Sequence, residues 1–234
     1  TEAQRYDGCI RAIPTNAHEA ELFAMQWRAR GGGLPARHCQ ALAQLQQRRF
    51  AEAAANLAMA AQAAEAEKSP FAADFWGQAG NAALLGGDNA NARTYLTTAI
   101  TALGSGPRAA PFLVDRARAQ VELGDLAAAR QDLDAALAAD REDPEGWLLS
   151  AALARRQGDI GRAAREIERA STLAPSDPDI MFEQGNIAAA NGDIATARLV
   201  WAQVEKAAPG SSAADLAAKA LAAAGPDPAP PAKK

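Results

Sequence analysis

Apolar positions along this chain are mostly small residues. They recur at the three- and four-residue spacing of amphipathic helices and are interrupted every few positions by Arg, Asp, Glu or Gln. Alanine dominates the 49% of apolar residues, and aromatic residues make up only 5%. Such a core has to come from many small side chains packed closely between helices rather than from broad β-sheets. The pattern therefore predicts an all-α fold.

A repeat of about 34 residues is superimposed on this pattern. Gly-Asp pairs, separated by 37, 34 and 34 residues, begin at Gly87, Gly124, Gly158 and Gly192. Five residues after each Gly comes a small residue, at Ala92, Ala129, Ala163 and Ala197. Four residues further on comes a larger one, at Leu96, Leu133, Ile167 and Trp201. The constant register predicts four copies of one structural unit.

Each copy is expected to be an antiparallel helix pair. The Gly ends the first helix through a left-handed turn, and the Asp caps the second helix by accepting from its free N–H groups. The small Ala lets the two helices approach closely. The larger residue on the next turn fills the space between neighbouring pairs, so a pair buries its apolar face only by stacking on another.

These residues resemble the tetratricopeptide repeat (TPR) family, whose first helix carries W-x-x-L-G-x-x-Y and whose repeat ends in Pro. The W and G places are matched in part by Trp76, Gly80, Trp147, Ala151 and Gly185, and Pro175 and Pro209 close the last two repeats. The chain departs from the family at the Tyr place, which holds Ala83, Gln120, Ala154 and Ala188. The resemblance implies a right-handed TPR superhelix, an α-solenoid of antiparallel helix pairs.

The expected boundaries follow from this register. A looser copy precedes the four, with Arg48-Arg49 in place of Gly-Asp, and longer loops near Lys68 and Gly104 carry the extra residues. We expect a degenerate helical repeat or cap at 1–33, with Gly31 to Gly33 as a flexible connector. A degenerate TPR at 34–68 and TPRs at 69–109, 110–143, 144–177 and 178–210 follow, then a capping helix at 211–224 and a disordered Pro-rich tail at 225–234.

Charge and hydropathy narrow the class of partner. The formal net charge of −4 gives no basic surface for nucleic acid or anionic membrane. No stretch approaches the length of uninterrupted apolar residues that a membrane span needs. The sequence therefore favours a protein or peptide partner, with the chain a monomer or a weak homo-oligomer.

Two cysteines, Cys9 and Cys39, fall on helices that are expected to pack side by side. We favour a disulfide between them, and two buried free thiols remain the alternative. A disulfide implies an oxidising compartment. The Y-D-G-C segment at 6–9 and the segment at 31–39 resemble secreted TPR proteins of alphaproteobacteria, which implies a periplasmic location with a signal peptide already removed before Thr1. The alternative is a cytoplasmic protein whose first residues were trimmed.

Candidate chemistry is sparse. His18 and His38 lie near the cysteines, but no C-x-x-C or H-x-x-x-H clip is present and adjacent residues such as His38 and Cys39 point to different sides of a helix. Acidic pairs such as Glu142-Asp143 sit at predicted helix starts, where they act as caps. We therefore expect no metal, no cofactor and no catalytic residues.

The family resemblance implies a concave surface lined by first-helix positions. Transferring that rule selects partner-binding candidates at Asn81, Leu84, Asp115, Arg118, Glu122, Leu148, Arg155, Phe182 and Asn186. The amides of Asn81 and Asn186 can each donate to and accept from an extended peptide backbone. The expected function is a non-catalytic interaction module whose groove takes a peptide, loop or helix. Alternatives are a self-associating scaffold that pairs through Trp201 and the last helix, and a metal or thiol site at the Cys/His end.

Overall fold

The computed structural model describes residues 1–225, and across that range it is built from α-helices without a strand. The prediction of an all-α fold is confirmed. The predicted tail at 225–234 lies outside the described residues except for Gly225. The helices are α1 (Glu2–Ala12), α2 (Ala17–Ala29), α3 (Gly33–Gln46), α4 (Phe50–Ala66), α5 (Ala72–Leu85), α6 (Asn89–Leu103), α7 (Ala110–Glu122), α8 (Leu126–Ala139), α9 (Pro144–Arg156), α10 (Ile160–Leu173), α11 (Pro178–Ala190), α12 (Ile194–Ala207) and α13 (Ser212–Ala223).

The helices belong to two compact units, one spanning Thr1–Ala139 and the other beginning at Asp140. The first unit holds α1 to α8 and the second holds α9 to α13. In each unit consecutive helices pack against one another, and α5 also contacts α7 just as α9 contacts α11. None of the helices in residues 1–225 is long and apolar enough to cross a membrane.

The Gly-Asp turns form as the repeat predicts. Gly87, Gly124, Gly158 and Gly192 have φ of +76°, +82°, +80° and +83°, the left-handed region in which a side chain is costly. The following Asp accepts from the N–H three residues later at 2.9 to 3.1 Å, as in the Asp159 cap of α10. The turn and the cap are therefore supplied by two adjacent residues.

The degenerate turn at Arg48-Arg49 has the left-handed backbone of the Gly-Asp turns, although it contains neither Gly nor Asp. Arg48 has φ of +59°, and Arg49 provides no side-chain cap for α4. Instead, the Arg49 guanidinium pairs with Glu21 at 2.6 Å and also with Glu52. Ion pairs of Arg49 therefore hold this turn, and its side chain does not accept from the first N–H groups of α4 as Asp does in the other repeats.

A second departure concerns the glycines at 31–33, which we expected to form a flexible connector. Gly32 is buried against the Trp27 ring, and its N–H donates to the Trp27 carbonyl at 3.0 Å. Gly33 already belongs to α3. The segment is a tight turn under an indole ring, and a Cβ at Gly32 would lie 2.5 Å from Trp27 Cδ1.

The two helices of a repeat meet where a glycine faces a large side chain. A Cβ at Gly80 would lie 2.4 Å from Leu96 Cγ, and a Cβ at Gly185 would lie 2.4 Å from Trp201 Nε1. In both cases the partner stands 16 residues later, on the second helix of the pair. The same two register positions hold Ala151 and Ile167, which lie in one buried cluster of the second unit. Close approach through small residues is therefore the packing rule.

The last helix, α13, covers the end of the second unit. Ser211 caps it by accepting from the Ala214 N–H at 3.1 Å, and Ala213 and Ala217 join Trp201 in one cluster. Trp201 is only 6% exposed. Trp201 itself therefore offers little surface to another copy, because its ring already fills the space between α11 and α12.

The glycine contact leads to a stability prediction. Gly185→Ala should lower the free energy of unfolding by about 1–3 kcal/mol, because the added methyl group overlaps the Trp201 ring. Gly161→Ala, on α10 and with no atom closer than 3.7 Å to its Cβ, should not destabilise the protein. Urea unfolding followed by circular dichroism measures both. Equal effects at the two sites would contradict the packing rule.

Candidate functional site: first-helix faces and an N-terminal pocket

In the first unit, the predicted binding residues lie on α5 and α7, which contact each other. Leu84 packs half-buried against the main core, and Asp115 pairs with Arg118 at 2.8 Å along α7. Glu122, at the end of α7, is exposed. Asn81 is different, because its Oδ1 is buried without a hydrogen-bond partner. That oxygen does not face an incoming peptide in this conformation.

In the second unit, two of the predicted residues, Arg155 and Asn186, belong to one hydrogen-bond network between α9 and α11. Arg155 donates to both carboxylate oxygens of Glu183, at 2.6 and 3.1 Å. Asn186 Nδ2 donates to Glu183 Oε2 at 3.0 Å, and Trp201 Nε1 donates to Asn186 Oδ1 at 3.2 Å. Leu148 and Phe182 are half-buried on the same two helices.

This network changes the role expected for Asn186. Its Nδ2 already donates to Glu183 and its Oδ1 already accepts from Trp201, so it orients both side chains. Glu183, only 7% exposed, was missed by sequence reasoning although it holds Arg155 in place. A possible signal was the opposite charges 28 residues apart, a little under one repeat. The network ties the first helices of successive repeats together and leaves Leu148 and Phe182 beside it.

A pocket of about 630 Å³ lies in the first unit between α1, α3 and the start of α5. At its wall the Tyr6 hydroxyl lies 2.7 Å from His38 Nδ1, and His38 Nε2 lies 2.7 Å from Gln78 Oε1. Since Gln78 Oε1 can only accept, Nε2 carries the proton and Nδ1 accepts from Tyr6. The ring of Phe75 meets the His38 ring edge-on, with centroids 5.2 Å apart.

Burial sets the protonation of this histidine. Desolvation lowers the pKa of His38 below its usual range, and the hydrogen bond that Nε2 donates to Gln78 Oε1 opposes this only in part. Near neutral pH the ring is therefore uncharged. None of the residues lining this pocket was among the predicted binding residues, because the pocket joins helices that are far apart in sequence.

Cys9 and Cys39 form a disulfide behind this pocket, with their Cα atoms 6.3 Å apart. Both residues are buried among the side chains of α1, α2 and α3. The bond fastens α1 to α3, and no cysteine of the chain is left as a free thiol. The suggested thiol or metal site at this end therefore has no sulfur ligand available, whereas His38 is occupied by Tyr6 and Gln78.

Repeated helix pairs with left-handed Gly turns, Asp caps and small residues at the crossing define a helical-repeat protein. The pattern of the tetratricopeptide repeat family matches residues 40–110, 114–178 and 148–212, which is most of the chain. The chain belongs to the tetratricopeptide repeat family. No curated protein matches it by sequence.

Solved structures show the same fold at low sequence identity. PilW, a type IV pilus biogenesis factor, is 15% identical with a TM-score of 0.74, covering 92% of this chain and 97% of that one. PilF of Pseudomonas aeruginosa is 15% identical with a TM-score of 0.70, covering 95% and 98%. YrrB, a TPR protein with an unusual peptide-binding site, is 16% identical with a TM-score of 0.57, covering 79% and 91%. At these identities the likeness concerns the fold alone.

Breaking the Arg155–Glu183 pair should lower the free energy of unfolding. Arg155→Ala leaves the Glu183 carboxylate buried without its cation, and we expect a loss of about 2–3 kcal/mol in the free energy of unfolding. Arg156→Ala, which removes the exposed neighbouring arginine, should change it by less than about 0.5 kcal/mol. Chemical denaturation of the three proteins gives the comparison, and a stable Arg155→Ala variant would rule out a structural role for the pair.

Removing the disulfide should destabilise the N-terminal end. Its two cysteines are 30 residues apart, and closing a loop of that length corresponds to about 3–4 kcal/mol in the chain-entropy model. Cys9→Ser/Cys39→Ser should therefore melt at a lower temperature than the wild type in oxidising buffer. With dithiothreitol present the two proteins should melt together. A wild type that melts like the double variant without reductant would show that the bond does not form.

Proposed function

We propose that this protein is a non-catalytic interaction module that binds a partner peptide, loop or helix on the exposed faces of its first helices. In the second unit this face is α9 with α11, and in the first unit it is α5 with α7. The family membership supports the general role, since TPR arrays present stacked helix faces as extended binding surfaces. The observation that carries the proposal is the Arg155–Glu183–Asn186 network, which fixes a polar platform beside half-buried apolar side chains.

The residues divide into two roles on this proposal. Leu148 and Phe182 contribute the apolar contact area, because they are partly exposed next to the braced network. Asp115, Arg118 and Glu122 offer charged anchors on α7, whereas Arg155 and Asn186 hold the platform rigid. A preformed surface loses less conformational entropy when it binds than a flexible one, which favours affinity.

We place the protein in the bacterial periplasm on the same proposal. The buried disulfide supports this location, because such bonds persist in oxidising compartments. PilW, a type IV pilus biogenesis factor, shares the fold, and this is consistent with a role in assembly. A cytoplasmic protein would hold Cys9 and Cys39 reduced.

Site-specific photocross-linking tests where partners bind. A benzophenone amino acid is placed at Phe182 or Leu148, and in control proteins at Leu199 or Leu216, which are 67% and 46% exposed on α12 and α13. After irradiation of cells that make the protein, we expect one and the same partner at positions 182 and 148 but not at the controls. Because the controls are exposed apolar positions, exposure alone would favour them.

A competition assay with that partner measures how much each side chain contributes to the binding affinity. Phe182→Ser should weaken binding about tenfold or more if the side chain is a central contact, whereas Leu199→Ser should leave it unchanged. Cross-links that appear mainly at 199 and 216 would place the surface on the second helices. Cross-links to a second copy of this chain would favour the alternative of a self-associating scaffold.

A further inference from the structure

The pocket of the first unit has the size and walls of a binding site, and it lies between α1, α3 and α5, outside the α5–α7 face of the proposed function. Its volume of about 630 Å³ falls in the range of ligand pockets, roughly 300–1,000 Å³. Leu34, Pro35 and Phe75 form apolar walls, and Phe71 stands at the edge with 61% of its surface exposed. A phenylalanine that exposed, beside an apolar cavity, adds contact area for an inserted group.

Most polar groups at the pocket wall already have partners. Tyr6, His38 and Gln78 are linked in one hydrogen-bond chain at 2.7 Å for each contact. The two ring nitrogens of His38 and the Gln78 Oε1 oxygen therefore require no polar ligand atom. An apolar group can lie against this chain without leaving the buried imidazole unpaired, which is the costly outcome in such a site.

Two carboxylates are the charged groups in the lining, Glu2 on α1 and Asp74 on α5. Each contacts an arginine at the surface, Arg5 at 3.2 Å and Arg108 at 3.4 Å. These pairs are exposed, and exposed ion pairs contribute little free energy, so an incoming cation can replace or join them. Arg5 and Arg108 are not part of the lining, so an anionic group inside the pocket would lie closer to the two carboxylates than to their arginines.

The pocket is held in shape before anything binds. The disulfide fastens α1 to α3, and Trp27 Nε1 donates to Glu2 Oε2 at 2.9 Å, which ties the start of α1 to α2. The α1 wall therefore does not have to be ordered by the ligand. A site that is preformed in this way binds a small anchor with little loss of conformational entropy.

We propose that this pocket is a second docking site, which accepts an apolar side chain of a partner protein flanked by Lys or Arg. The apolar body occupies the space between Leu34, Pro35 and Phe75, and the basic flank lies at the mouth against Glu2 and Asp74. The site is in the unit Thr1–Ala139 and shares no residue with the predicted binding positions. It can exist whether or not the first-helix faces bind a partner.

The test uses dipeptide probes and the full chain. Acetyl-Phe-Lys-amide is titrated into ¹⁵N-labelled protein, with acetyl-Phe-Glu-amide and acetyl-Ser-Lys-amide as probes that reverse the charge or remove the ring. We expect the first to bind with a Kd of about 1 mM, the affinity typical of a fragment of that size. Its shifts should centre on the Gln78 side-chain amide, and the two other probes should bind several-fold more weakly.

Matched variants assign the contacts. Glu2→Gln/Asp74→Asn keeps the shape and removes both charges, and it should weaken acetyl-Phe-Lys-amide about threefold to tenfold at low salt while leaving acetyl-Phe-Glu-amide no weaker. Phe71→Ser should also weaken the first probe. The controls are Asp7→Asn, an exposed acid of α1 outside the lining, and Leu85→Ser, which removes an exposed apolar side chain elsewhere on α5. Neither control should change the affinity.

Four results would overturn the proposal. They are the absence of shifts with about 10 mM acetyl-Phe-Lys-amide, ten times the expected Kd, equal binding of the Lys and Glu dipeptides, shifts that map away from Gln78, and tighter binding of phenethylamine than of the dipeptide, which would assign the site to a small amine. The variant Phe182→Ser must leave probe binding intact. Failure of the first-helix proposal therefore does not decide the outcome for this pocket.

Discussion

The close crossing of the two helices in each repeat is the constraint on which the rest of this structure depends. A glycine or alanine in the first helix allows a bulky residue of the second to lie directly against its backbone, as Leu96 does on Gly80. The chain has few large apolar side chains, so stability has to come from many short contacts between closely spaced backbones. Its low aromatic content of 5% is therefore consistent with tight packing rather than with a weak core.

Because of that constraint, inward and exposed positions of each repeat have different roles. Inward positions are small and serve packing, which leaves the partly exposed positions of the first helices to carry polar networks. The Arg155–Glu183 pair illustrates the result, because it links α9 and α11 without using any apolar core position. Ion pairs within the surface hold its shape. Apolar side chains such as Phe182 can therefore stay partly exposed beside them.

The sequence predicted the local features well because their causes are local. A Gly with positive φ and an Asp three residues before its partner N–H depend only on neighbours in the chain, and the 34-residue period fixed their register. Contacts between residues of different repeats were harder to predict. Tyr6 and Gln78 meet His38 from 32 and 40 residues away, and the irregular N-terminal end and a longer loop shift these separations away from 34.

Two further contacts were missed for the same reason. Trp201 was considered as a contact to another copy, but its ring lies against the backbone of Gly185, which has no side chain. Asn186 was predicted to bind a peptide because Asn can donate and accept, and its Nδ2 donates to Glu183 while its Oδ1 accepts from Trp201. In each case the contact depends on a residue elsewhere in the repeat, and the type of that residue does not reveal the contact.

The pair formed by Gly185 and Trp201 also restricts the order in which the chain could acquire its present residues. A tryptophan arriving opposite an alanine would overlap its methyl group and destabilise the repeat, whereas a glycine arriving first opposite a smaller residue leaves only a void. The two positions are therefore coupled. Changing either residue alone costs stability, through overlap at Gly185 or a cavity at Trp201.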